Sequence, residues 1–116
     1  MKKINILKKS RDFDRIIKNN KSYKYKDYII FIERETNNIY KFGISVGKKI
    51  GTAVERNKVK RQIKFIISQK DYQNNFNCII IVGRGIKGKK FEEIQENLLY
   101  ALKNLNIIKE NQHEKK

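Results

Sequence analysis

The sequence contains no proline and no tryptophan, and only one cysteine and one histidine among its 116 residues. Each shortage removes a class of protein. Cys78 has no second cysteine with which to close a disulfide, and its place in NCIIIVG is that of a small hydrophobe at a strand entrance. With His113 alone, in the polar stretch NQHEKK, a two-histidine acid–base mechanism is excluded and a zinc site of the usual ligands cannot be assembled. No stretch approaches the about 18 apolar residues of a membrane span, and Ile4, Ile6 and Leu7 are too few for the apolar region of a signal peptide. A soluble cytoplasmic protein without a membrane partner is expected. Glycine and asparagine have to make every turn.

Acids are also scarce, 12 against 28 lysines and arginines, for a formal charge of +16. Hydrolysis by clustered carboxylates around Mg²⁺ is therefore not expected from this chain. The adjacent Glu92 and Glu93 open a helix, where the dipole explains them. The basic run GRGIKGKK lacks the Gly-Lys-Ser/Thr ending of a nucleotide-binding loop, so no small-molecule cofactor is expected. It reads as a mobile basic contact to an RNA backbone or, equally well, as a solvated turn. Self-repulsion of +16 disfavours a compact state unless a polyanion neutralises it, and nucleic acid is the natural partner.

The segment from Thr52 to Lys64, TAVERNKVKRQIK, shows where that partner binds. At roughly 100° per residue, Val59, Ile63, Ile66 and Ile67 share one arc, with Asn57, Lys60, Arg61 and Lys64 on the next and Arg56 at the border. A helix with one dry side and four or five fixed donors beside it suits phosphates and base or sugar edges. Thr52 followed by Glu55 is the capping-box pattern at its start.

Around that helix the chain reads as one small domain, 1–116, with a flexible charged tail from about 107. Ser10 is expected to cap a first helix carrying Phe13, Ile16 and Ile17 at i, i+3, i+4 spacing. DYIIFIERE reads as a strand, with ETNN as the turn after it, and a short extra strand lies near Ser22 to Lys26. In IYKFGISVGKK, Tyr40, Phe42, Ile44 and Val46 alternate with Lys41, Gly43, Ser45 and Gly47. The glycine side either admits a close approach to the backbone or simply faces solvent. CIIIVGR reads as a strand buried on both faces, and Phe91 to about Leu105 as a helix with Ile94, Leu98, Ala101, Leu102 and Leu105 inward. The expected fold is α+β, a sandwich of one mixed sheet of about four strands packed with three helices.

The run KKIGTAVERNKVKRQIK closely resembles the signature of the bacterial ribonuclease P protein component. Its Arg-Asn pair, Lys-Arg two residues on and a further basic residue stand here as Arg56, Asn57, Lys60, Arg61 and Lys64. GISVGKKIG resembles the glycine-rich strand and lysine pair just upstream in that family, and LKKSRDFDRIIK is similar to its opening. The resemblance covers nearly the whole chain. It implies a small basic subunit of a ribonucleoprotein endonuclease whose RNA, with Mg²⁺ held chiefly by that RNA, removes the 5′ leader from precursor tRNA. The protein would then supply no catalytic residue and hold no metal. Carried over position by position, Phe13, Ile17 and Phe31 would line a cleft for the single-stranded leader, the two rings serving as stacking platforms. Lys60, Lys64, Arg56 and Asn57 would line the same groove and touch the leader or the catalytic RNA, with Arg61 on the same basic helix, and Lys48 and Lys49 would add backbone contacts. Ile17 stands where the family often has phenylalanine, and Lys64 where it often has arginine, which loses the two-pronged donor geometry. The second reading is a structural RNA-binding protein of ribosomal type with no processing role. An autonomous ribonuclease ranks far last.

Overall fold

A computed structural model describes residues 1–109. In chain order the elements are α1 (Ser10–Asn19), β1 (Ser22–Tyr25), β2 (Tyr28–Arg34), β3 (Tyr40–Val46), α2 (Ala53–Ser68), β4 (Phe76–Val82) and α3 (Phe91–Asn104). Single 3-10 turns occupy Lys3–Asn5, Lys48–Ile50 and Arg84–Ile86. The four strands form one mixed sheet in the order β1-β2-β4-β3, with β2 antiparallel to both neighbours and β3 parallel to β4. The expected α+β class and element order are what forms, including the short strand at Ser22.

Period-two alternation in the strands divides the apolar residues between the two faces of the sheet. Tyr28, Ile30, Phe42, Val46, Phe76, Cys78, Ile80 and Val82 face one way, against Ile63, Ile66 and Ile67 of α2 and Ile94, Leu98, Ala101 and Leu102 of α3. Phe31 and Ile79 face the other way, under Ile16 of α1 and Leu7, with Phe13, Ile17, Ile29 and Ile81 at the margin. The sandwich thus has α1 on one side and α2 with α3 on the other. Cys78 is fully buried, and burial pushes its thiol pKa well up, so it packs as a hydrophobe without a reactive thiolate.

A local signal explains the start of α2 but not that of α1. The Thr52 hydroxyl accepts from the Glu55 amide at 3.2 Å while the Glu55 carboxylate accepts from the Thr52 amide at 2.9 Å, the reciprocal cap expected for α2. Ser10 does not cap α1. The N-cap is Lys9, whose carbonyl accepts from Asp12 and Phe13, and no side chain caps that end.

Three further departures bear on the site. The chain before α1 is a strap along the outer edge of β3: Ile6 pairs in parallel with Phe42, the Leu7 amide donates to the Phe42 carbonyl at 2.8 Å, and the Asn5 side chain donates to the Tyr40 carbonyl at 2.7 Å. β1, at the opposite edge, is four residues long with Lys21, Lys24 and Lys26 in and around it. The GRGIKGKK run is pinned, not a mobile loop: the Gly83 amide donates to the Asp27 carbonyl at 2.7 Å, Lys89 is bonded to the Asp27 carboxylate, and Ile86 is buried. At the carboxyl side, residues 107–109 are anchored where a flexible tail was expected, with Ile107 buried, Ile108 bridged to Tyr72 and the Lys109 amide donating to Asp71. His113 lies outside the described residues. Among the described residues no helix is long and apolar enough to cross a membrane.

Candidate nucleic-acid interface

The outer face of α2 carries the cationic arc. Taken at the helical period, Lys60, Lys64, Asn57 and Arg61 span roughly 100° of its circumference. Asn57, Arg61 and Lys64 are exposed and Lys60 is half-buried. Arg56 is partly committed to the fold, because its guanidinium donates to the Gly51 carbonyl at 3.0 Å and so closes the entry to the helix. Gly51 itself has φ 148°, a value that favours glycine, and a Cβ there would strike the capping Glu55 carboxylate. Hydrogen bonding from the Thr52 backbone holds the Glu55 carboxyl below its usual range, which keeps the one acid of this segment engaged at the cap.

Beside this face lies a cleft of about 250 Å³ that runs along the edge of β3, between α2 and α1. Lys60 and Lys64 line one wall, Phe13 the other, Phe42 and Ile44 contribute from β3, and Met1, Ile6, Leu7 and Lys8 of the strap complete it. It is smaller than the roughly 300–1,000 Å³ typical of small-molecule sites, yet it joins cations to an aromatic ring over an apolar wall. The resemblance put Lys60, Lys64, Arg56 and Asn57 in one groove with Phe13, Ile17 and Phe31; of these, Lys60, Lys64 and Phe13 line this cleft, and Arg56 and Asn57 lie on α2 outside it. The other expected residues are placed elsewhere. Ile17 is half-buried against the α1-side core, Phe31 is 9% exposed within that core, and Lys48 and Lys49 stand exposed on the turn before α2.

Phe13 is seated by a glycine. The outward side of β3, read from alternation as small and open, is filled at Gly43 by the chain's own ring: a Cβ added there would come within 2.5 Å of the ring tip of Phe13. Replacing Gly43 with alanine is therefore expected to lever the ring off its seat while leaving every side chain of the cleft chemically intact. If Phe13 stacks a leader base, the G43A protein loses about 5- to 150-fold in affinity for leader-bearing precursor tRNA, equivalent to the roughly 1–3 kcal/mol of one aromatic platform. Fluorescence-detected titration with and without a leader checks this, and an unchanged affinity would show the ring to be packing only.

At its far end the same face of the sheet carries a network of paired charges. Arg15 donates to Glu33 at 3.1 and 3.0 Å and to Asp12 at 2.8 Å, while the Asn77 amide donates to Glu33 at 2.8 Å and to Glu35 at 2.6 Å. Hydrogen bonds from Arg15 first, then burial working against them, set the Glu33 carboxyl below its usual range. The acids line a polar hollow with Arg15, Arg34 and Lys41. The three acids are matched there by three cations, so that end is close to neutral, whereas Lys8, Lys60 and Lys64 line the cleft with no acid beside them. Among the described residues no three His, Cys, Asp or Glu side chains gather as they would around a metal ion.

Sequence reasoning missed Lys8, the strap, and Phe42 and Ile44 as part of the cleft. The only signal for the strap was the apolar pair Ile6 and Leu7 ahead of α1. Comparison with known proteins converges on one family. A model described as Ribonuclease P matches residues 1–106. The Ribonuclease P protein component of Streptococcus pyogenes serotype M5 is 36% identical over 104 residues, covering 89% of this chain and 87% of that one. A solved structure of the Staphylococcus aureus RNase P protein superposes with a TM-score of 0.82 at 29% identity, over 90% of this chain and 98% of that one. The Thermotoga maritima RNase P protein gives 0.76 at 27% identity, over 84% and 94%. The chain therefore belongs to the ribonuclease P protein component family, whose members are subunits of an endoribonuclease of tRNA processing.

Proposed function

We propose that this subunit binds the catalytic RNA of ribonuclease P through the exposed face of α2 and holds the 5′ leader of precursor tRNA in the adjacent cleft. The observation that carries the reading is the meeting of Lys60 and Lys64 with the Phe13 ring in one groove. Phosphates of the leader lie along the two ammonium groups, and an unpaired base rests on Phe13 over Phe42 and Ile44. Ile17 extends the apolar side without stacking, and Phe31 supports α1 from beneath. Asn57, Arg61 and the free donors of Arg56 face the catalytic RNA, Lys60 and Lys64 are shared between that RNA and the leader, and Lys48 and Lys49 reach the RNA backbone.

The chemistry, hydrolysis of the leader's phosphodiester bond, belongs to the RNA and its Mg²⁺. The described residues gather no carboxylate set for such an ion, so no step is assigned to a metal on the protein. The protein's contribution is electrostatic and positional: it screens phosphate repulsion and so lowers the Mg²⁺ demand, and it raises affinity for the precursor over the mature product. The reaction is placed in the cytoplasm.

A structural RNA-binding role of ribosomal type would account for the charge and for α2 but not for the cleft. The two readings part in one assay. Mixed with the ribonuclease P RNA of its own source, the protein should restore precursor cleavage at low Mg²⁺ and favour substrates with a leader of several nucleotides over mature tRNA. Equal affinity for both, with no gain in cleavage, would leave only the structural role. Cleavage by the protein without RNA would overturn both.

A further inference from the structure

β3 and β4 are parallel, with Val46 opposite Val82, so their carboxyl ends leave the sheet together. Nearly the same peptide follows each: Gly47-Lys48-Lys49-Ile50-Gly51 after β3, and Gly83-Arg84-Gly85-Ile86-Lys87-Gly88 after β4. Both leading glycines are extended, with ψ 167°. Each opens one 3-10 turn closed by the same pair of hydrogen bonds, Ile50 to Gly47 at 3.0 Å and Gly51 to Lys48 at 3.2 Å in the first, Ile86 to Gly83 at 3.2 Å and Lys87 to Arg84 at 3.1 Å in the second. The two isoleucines are buried in the same core, at 3% and 2% exposure. With that position inward, the cations at the head of each turn, Lys48 and Arg84, stand in solvent at equivalent places just beyond the ends of two paired strands.

The second turn is held from behind as well. Asp27 binds both the Gly83 amide and Lys89, and a Cβ at position 85 would collide with the Asp27 carboxylate, so the residue after Arg84 has to be glycine in this arrangement. Lys87 lies 3.8 Å from the Glu55 carboxylate, which the α2 cap already occupies. The result is a row of cations on pinned backbone, outside both the cleft and the outer arc of α2.

We propose that these twin turns are a second phosphate-binding ridge, which takes the sugar–phosphate backbone of the catalytic RNA with Arg84 as its principal residue and Lys48 and Lys87 beside it. The proposal rests on the reading of the chain as a ribonuclease P subunit. Preorganised turns lose little freedom on binding, and the planar guanidinium suits two oxygens of one phosphate.

The test uses the full chain and the ribonuclease P RNA of its source, with binding followed across a salt series. The Arg84→Gln/Lys87→Gln protein, checked for an unchanged melting temperature, is expected to bind about 10- to 100-fold more weakly near 0.1 M salt, with a salt slope shallower by about 1.5. The charge-keeping Arg84→Lys/Lys87→Arg protein should regain the slope, and both should keep the wild-type preference for leader-bearing precursor. An unchanged slope and affinity in the glutamine variant, with wild-type protein still binding the RNA in a salt-dependent way, would make the ridge a solvated surface and leave the subunit reading intact. Loss of leader preference would assign these turns to the leader and overturn the ridge. Wild-type protein with no salt-dependent binding to that RNA would overturn the subunit reading itself, and the ridge with it.

Discussion

Replacing Lys60, Arg61 and Lys64 together with alanine is expected to weaken binding to the catalytic RNA by about 100- to 1,000-fold near 0.1 M salt and to flatten the salt slope by about two to three. The size follows from counterion release, since each lost phosphate contact removes about 0.7 to 0.9 from the slope. Arg61 and Lys64 are exposed on α2 and Lys60 borders its apolar side, but none of the three belongs to the buried core, so helix and core should survive the change. Lys60 is half-buried and its stem covers part of the cleft wall, which adds a small packing loss. The control is a second triple variant, at Lys24, Lys70 and Lys103, which removes the same charge from exposed positions elsewhere. A chain that binds through a particular face loses far more from the first set. Equal losses from both would reduce the interaction to net charge and dismiss α2 as a surface of contact.

The second large effect is on stability. Phe42 is 1% exposed, and its ring meets three others edge-on, at centroid distances of 4.9 Å to Tyr72, 5.6 Å to Phe76 and 5.8 Å to Tyr40. Truncation to alanine removes an aromatic side chain from a packed cluster and leaves a cavity, which costs about 3–5 kcal/mol. That is a large share of the about 5–15 kcal/mol that holds a domain of this size. The same residue receives the strap through its backbone and lines the cleft, so loosening here reaches the site. Urea denaturation should show the loss directly, whereas Phe65→Ala, at a ring 57% exposed, should cost well under 1 kcal/mol. A Phe42→Ala loss below about 1 kcal/mol would mean that the aromatic cluster is not the support described. Saturating RNA should recover part of the deficit, because a ligand that binds only the folded state stabilises it.

What could be seen in the sequence was local. The alternation from Tyr40 to Val46 and the helical spacing from Phe91 to Leu105 need only the geometry of one element, and both are realised. The capping box at Thr52 and the cationic arc of α2 are legible for the same reason. Contacts between distant parts of the chain were not. Alternation shows that Gly43 faces away from Phe42, but nothing near Gly43 reveals that Phe13 will fill the space. Asp27 and Lys89 are 62 positions apart, and a glycine-rich basic run reads as loose when its anchor lies in another hairpin. Phe31 illustrates the limit within the site, since a strand apolar on both faces gives no sign of which ring stays accessible. Ser10 misled because the hydrogen bonds of α1 begin one residue earlier than the capping preference suggests.

The sheet offers a stranger little free border: the strap covers the Tyr40–Phe42 part of the β3 edge, and the opposite margin is a four-residue strand among lysines. Strand-on-strand growth between molecules is thus hindered on one flank and discouraged on the other. Turbidity in concentrated samples would then have to arise from charge neutralisation by bulk polyanions, and such cloudiness clears on adding salt, whereas fibrils built from stacked sheets would persist.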